Sequence, residues 1–166
     1  MLNIDESLDK FAVIIGDNVT QGARSPLLWN AAFAGFGLNA QMLAIDVEPA
    51  DDLKVLLDKL LNHDKFIGGA IAAPLKQAVS DLICQRNGES YTHAPVNCFY
   101  KDLVSGKASA VNTDILAAIA SIETVSPVEH FNKVAILGNG SIAQGLCNAL
   151  HTKMDITLFR RSKDKD

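Results

Sequence analysis

This chain is short of most features that would place it at a glance. It has three cysteines in 166 residues, Cys84, Cys98 and Cys147, far apart and without a C-x-x-C. That excludes a disulfide framework and suits reduced thiols in the cytoplasm. The four histidines, His63, His93, His130 and His151, lack metal-ligand spacing, so no metal site is expected. Neither sign of charge dominates: 15 basic residues stand against 19 acidic ones, a net charge of −4. Such a balance offers no basic surface for nucleic acid or an anionic membrane, and neither is expected as a partner. No apolar run reaches the length of a membrane-spanning helix. The N-terminus, Met1-Leu-Asn-Ile-Asp-Glu-Ser, lacks the basic start of a signal peptide. What remains is a soluble chain, 48% hydrophobic, long enough to bury a core and suited to a small-molecule partner.

One stretch stands out. In Lys133-Val-Ala-Ile-Leu-Gly-Asn-Gly-Ser-Ile-Ala143 an apolar run ends in Gly138, Asn139, Gly140, Ser141, Ile142 and Ala143, which fits G-x-G-x-x-A. A helix is predicted from Ser141 to about Leu150, then a second apolar run, Asp155 to Phe159. Strand, glycine turn, helix and strand together open a dinucleotide-binding unit. Gly138 permits the tight turn, Gly140 leaves room for a pyrophosphate, and Ala143 lets the helix pack close to the sheet. Free N–H groups at the helix start would hold the phosphates. An acidic residue that would select NAD is replaced by Arg160, Arg161 and Ser162, which suit a 2′-phosphate. NADP is therefore the expected cofactor. The alternative is a βαβ fragment whose arginines are merely solvated.

Upstream, strands and helices alternate, which predicts an α/β fold. Phe11 to Gly16 reads as a buried strand. Ser25 is the expected N-cap of a helix with Pro26 at its first position, ending near Gly35 and Gly37. Gln41 to Val47 reads as a strand. Pro49 opens a helix with Leu53, Val55, Leu56, Leu60 and Leu61 on its apolar face. Phe66 to Ala72 is a third strand and Leu75 to Ile83 a helix. Val96 to Tyr100 and Ser109 to Asn112 read as a hairpin turned around Gly106. Thr113 caps a helix to about Ile122. The expected domains are 1–122, which binds substrate, and 123–166, an incomplete NADP-binding domain of the Rossmann type, with the active site in the cleft between them.

The order of these motifs resembles the shikimate dehydrogenase family, over nearly the whole chain. The resemblance rests on Ser25-Pro26 with Asn30-Ala31-Ala32-Phe33, on Leu38-Asn39-Ala40, on Pro74-x-Lys76, on Val96-Asn97, on Asn112-Thr113-Asp114, and on the glycine turn with Arg161-Ser162. It implies an NADP-dependent oxidoreductase that interconverts 3-dehydroshikimate and shikimate, in the supply of chorismate and aromatic amino acids. It implies that Lys76 is the general acid/base, held by Asp114, and that Ser25 and Asn97 bind substrate. Taken without the resemblance, Lys76 reads as a solvated surface lysine and Asp114 as a carboxylate that complements a helix dipole.

The chain departs from the family pattern in two ways. The family's paired serines before the proline become Ala23-Arg24-Ser25, and its asparagine and threonine before the Pro-x-Lys segment become Ala70 and Ala72. Cys98 stands where the family has threonine. A site built to hydrogen-bond a polyol loses discrimination when such groups go. Arg24 is either a replacement carboxylate clamp or a surface arginine. The second departure is length: two strands and one helix of a dinucleotide domain are present. The chain is expected to be a fragment, or to have its strand edge covered by another chain, such as a second copy. Quinate, or another cyclic hydroxy acid, and a non-catalytic metabolite-binding role are the alternatives to shikimate turnover.

Overall fold

The computed structural model describes residues 4–48, 52–89, 94–102 and 104–160. It divides into two compact units, Met1–Val111 and Asn112–Asp166.

The first unit is a five-stranded sheet in the order β2-β1-β3-β4-β5. Its strands are β1 (Lys10–Gly16), β2 (Ala40–Asp46), β3 (Phe66–Ile71), β4 (Cys98–Lys101) and β5 (Ala108–Val111). β1 runs parallel to both β2 and β3, while β4 and β5 form an antiparallel hairpin. The helices are a single turn α1 (Val19–Gly22), then α2 (Ser25–Gly35), α3 (Leu53–Leu61) and α4 (Lys76–Asn87). From β1 the chain moves outward to β2, then returns across β1 to β3. Crossovers of one hand that reverse direction must place their helices on opposite faces. Accordingly Phe11, Val13 and Ile15 face Leu57, Leu60, Val79 and Ile83 of α3 and α4. Ala12 and Ile14 face Phe33 of α2. Both faces of β1 are covered, which is why its sequence is continuously apolar.

Local signals explain the boundaries, with some corrections. The N-cap of α2 is Arg24, without a side-chain capping bond; Ser25 and Pro26 are already inside the helix. Proline tolerates the first turn because an N–H there has no helical partner. α3 starts from Asp52, whose carboxylate accepts from Val55 N–H at 3.1 Å. Its buried face is Leu57, Leu60 and Leu61, while Val55 points outward; Pro49 lies outside the described residues. α4 extends to Asn87 and closes on Gly88 in the left-handed region, φ 73°. Asn87 donates to the Ala108 carbonyl at 2.9 Å, tying α4 to the hairpin.

The second unit comprises α5 (Thr113–Glu123), a 3₁₀ turn at Val128–His130, β6 (Lys133–Leu137), α6 (Ser141–Leu150) and β7 (Asp155–Phe159). Asn112, not Thr113, caps α5: its Oδ1 accepts from Asp114 N–H at 3.1 Å. α5 groups here rather than with the sheet before it, so the units part at Val111 and not near residue 122. The reason is close helix packing. A Cβ built on Gly145 of α6 would lie 2.4 Å from Ile115 Cδ1 of α5. β6 and β7 pair in parallel. Their sequence reads as buried on both faces, yet Leu137 is 83% exposed, and Leu158 and Phe159 are also open. A two-stranded sheet with one crossover helix has too little structure to cover both faces. Among the described residues, no helix is long and apolar enough to cross a membrane.

Candidate functional site

In open α/β sheets ligands bind outside the carboxyl ends of the strands, where the strand order reverses. In the first unit that point lies between β1 and β3. The chain leaves β1 towards α1 and α2, and leaves β3 through 72–75 towards α4. The two strand ends are joined by Ala72 N–H, which donates to the Ile15 carbonyl at 2.9 Å. Gly16 is required here by close approach: a Cβ on it would lie 2.6 Å from Ala72 Cβ and 2.7 Å from Val19 Cγ1.

Three of the sequence-predicted residues reach this edge. Ser25, partly buried, begins α2. Lys76, partly buried, begins α4 after the cis Ala73–Pro74 bond. Asn97 stands just before β4. Its carbonyl accepts from Ile71 N–H at 2.9 Å, and its N–H donates to the Val111 carbonyl at 3.1 Å. Its neighbour Val96 donates to the Lys76 carbonyl at 3.2 Å, which draws Asn97 and Lys76 together along the chain. Arg24 is exposed at the start of α2.

The wall between these groups is apolar and small. Ala23, Ala44, Ala70 and Ala72 pack on Ala12, Ile14 and Val19. Cys98 pairs with Ala70 across the sheet. Burial raises the Cys98 thiol pKa, which keeps it a neutral side chain. Thr20 and Asp46, which no motif marks, meet at the same edge. Thr20 N–H donates to Asp46 Oδ1 at 2.9 Å, and its hydroxyl donates to Oδ2. The Thr20 hydroxyl foremost, then its N–H, lowers the Asp46 pKa below the usual carboxylate range. The one sequence signal was an acid ending an apolar strand, which is common in solvated strand ends.

In the second unit, Asp114 sits partly buried in the first turn of α5. The glycine turn is formed as its spacing predicts. Gly138 adopts φ 124°, a conformation side chains disfavour. Among the described residues, nothing lies within 4 Å of a Cβ built on Gly138 or Gly140, so the space over the turn is open. Gly140 is the N-cap of α6, with the Ser141, Ile142 and Ala143 positions following it. A shallow, mostly apolar cavity of about 340 Å³ is lined by Gly138, Gly140, Ser141 and Ile142 together with Leu137 and Leu146. Open space, two glycines and the N–H groups at the start of α6 fit a pyrophosphate. Gly138 N–H donates to the Phe159 carbonyl at 2.8 Å, which brings the backbone at Arg160 alongside the turn. Arg161 and Ser162 lie outside the described residues.

Residues 14–99 match the family model for the shikimate dehydrogenase substrate binding domain. The chain is similar to a shikimate dehydrogenase (NADP(+)) of Methanocaldococcus jannaschii, 30% identical over 144 residues, covering 85% of this chain and 49% of the relative. A solved shikimate dehydrogenase in complex with NADP+ superposes with a TM-score of 0.73 at 27% identity, covering 92% of this chain and 52% of that one. A quinate dehydrogenase from Corynebacterium glutamicum shares the fold, with a TM-score of 0.71 at 24% identity over 92% of this chain and 55% of its own. The chain spans about half the length of the curated relatives it matches. With the switch-point edge of the first sheet inside the matched segment, the chain belongs to the shikimate dehydrogenase substrate-binding-domain family.

Proposed function

We propose that this chain carries the substrate-binding domain, and the opening of the cofactor domain, of a cytoplasmic NADP-dependent oxidoreductase that interconverts 3-dehydroshikimate and shikimate. The observation that supports it most is the position of Lys76. It begins a helix at the switch-point edge, beside Asn97, inside the segment that matches the family.

Oxidising a secondary alcohol requires a proton acceptor and a hydride acceptor at one carbon. Bound NADP supplies the hydride chemistry. Lys76 takes the hydroxyl proton, and in the reverse direction returns it to the carbonyl oxygen. The resemblance to the family assigns Asp114 the part of the supporting carboxylate. The Ser25 hydroxyl and the Arg24 guanidinium hold the ligand carboxylate, and the Asn97 amide meets a ring hydroxyl. Asn139 and the N–H groups that follow Gly140 hold phosphate, while Arg160, with Arg161 and Ser162, favours NADP over NAD.

A second reading concerns the substrate. Ala23, Ala70 and Ala72 leave no hydrogen-bonding side chain at those positions of the edge. This favours a metabolite-binding role without turnover; oxidation of another cyclic hydroxy acid, such as quinate, is the alternative within the same chemistry. The open apolar residues of β6 and β7 call for cover from further chain or from a second copy.

The test is a steady-state assay of the longest natural form with NADP and either shikimate or quinate. Lys76→Met should lower kcat by about 10²- to 10⁴-fold and leave NADP affinity unchanged. Asp114→Asn should also lower kcat, and the double variant should lose less than the product of the two. Full turnover by the Lys76→Met protein would remove the catalytic assignment.

A further inference from the structure

The segment that leaves β1 is pinned from the side by the end of β2. One carboxylate, Asp46, accepts both the N–H and the hydroxyl of Thr20. The next residue, Val47, donates its N–H to the Gly16 carbonyl at 2.9 Å, so strand end and loop base are joined. Thr20 belongs to the single turn α1, which Ala23 N–H closes onto the Val19 carbonyl at 3.0 Å. Arg24 and Ser25 follow directly. α1 buries one side chain, Val19. One buried contact fixes where a short turn sits but leaves it free to rotate about that contact. The Asp46–Thr20 pair supplies the second point that removes the rotation.

Charge supports the same view. A bare carboxylate on this edge would repel a ligand carboxylate at Arg24 and Ser25. Two donors from Thr20 engage the charge of Asp46 and hold it ionised in a fixed direction.

We propose that Asp46 and Thr20 are positioning residues that set how the Arg24–Ser25 segment presents its donors to a ligand carboxylate. This rests on the reading of Arg24 and Ser25 as the carboxylate site. The pair acts through the loop and has no role in proton transfer.

The experiment is an NMR titration of the full chain with shikimate and with its methyl ester, which lacks the carboxylate, alongside amide exchange in the free protein. The wild type should prefer the acid. Thr20→Val and Asp46→Ala should each cut that preference about tenfold, a change of about 1.4 kcal/mol, and the double variant should do no more than either. Thr20→Ser, which keeps the hydroxyl, should retain the preference. Amides at 20–23 should exchange faster in Thr20→Val while β1 and β3 stay protected. Undiminished preference in both single variants overturns the proposal. If the wild type shows no preference for the acid, the carboxylate reading of Arg24 and Ser25 fails on its own. Exchange then decides whether the Asp46–Thr20 pair positions the Arg24–Ser25 segment: unchanged protection at 20–23 in both variants overturns this, and selective loss there upholds it.

Discussion

The Asn30 side chain grips the backbone of Met42 at both its polar groups. Its Oδ1 accepts from Met42 N–H at 2.6 Å, and its Nδ2 donates to the Met42 carbonyl at 3.2 Å. β2 is an edge strand, so the outward groups of its residues lack a neighbouring strand. α2 therefore completes the hydrogen bonding of the sheet at one point and locks itself to it. Asn30→Ala should cost about 1–3 kcal/mol, the range for leaving partly buried polar groups unpaired. Urea unfolding measures the loss, and amide exchange at Met42 should report it locally. Unchanged Met42 protection would show that the bonds carry no stability.

Two glycines should respond in opposite ways. A Cβ on Gly69 would lie 2.5 Å from Phe99 Cε1 and 2.8 Å from Val13 Cγ2, both in the buried core. Gly69→Ala should therefore destabilise the first unit by about 1–3 kcal/mol through overpacking. Gly140→Ala meets none of the described residues within 4 Å and has an ordinary backbone, φ −79°. It should leave stability unchanged and weaken NADP binding. Denaturation and a nucleotide titration separate the two effects. Normal NADP binding by Gly140→Ala would contradict the role given to the turn.

Restoring polar groups should depend on position. Ala72 is partly buried at the end of β3, so Ala72→Thr places a hydroxyl near the edge. It should tighten shikimate binding by about 0.5–1.5 kcal/mol, the worth of one net hydrogen bond. Ala70 lies one step deeper, against Ala12 and Ile14 and opposite Cys98. Ala70→Asn should cost about 1–3 kcal/mol of stability unless its amide finds a partner. Calorimetric titration and thermal unfolding of each variant check both statements. Tight shikimate binding by the unaltered chain would refute the premise.

The hairpin turn should loosen in acid. Asp102 Oδ1 accepts from Ser105 N–H at 2.6 Å, from the Ser105 hydroxyl at 2.8 Å and from Val104 N–H at 3.1 Å. The Ser105 N–H foremost, then its hydroxyl, lowers the Asp102 pKa. A folded pKa below the unfolded one means that the stabilisation is present above the unfolded value, about 3.9. It is lost as pH falls through the folded value. The Ser105 amide signal should titrate with a midpoint below the ordinary Asp range, and Asp102→Asn should abolish that step. A midpoint at or above the ordinary value would refute the argument.

What the sequence by itself determined was local in reach. Phe11 to Ile15 declared a strand buried on both faces because it is apolar at every position. Gly138 and Gly140 declared the turn because their spacing meets the needs of backbone approach. Lys76 and Asn97 were legible through short motifs, and the structure brings them to one edge. Helix caps were legible only to within a residue. Asn112 holds the place that Thr113 was expected to fill, since both residue types cap helices well. Arg24 stands before Ser25 without any capping bond, because the first turn of a helix is bounded only to within a residue or two. Pairings across the fold were not legible. Thr20 meets Asp46, and Asn30 meets Met42, only because β2 lies beside β1 and α2 covers that face. α5 joins the second unit because Gly145 lets Ile115 approach. Periodicity reports which way a side chain points within its own element. The tertiary structure decides which element it meets, because strand order and crossover direction set the neighbours.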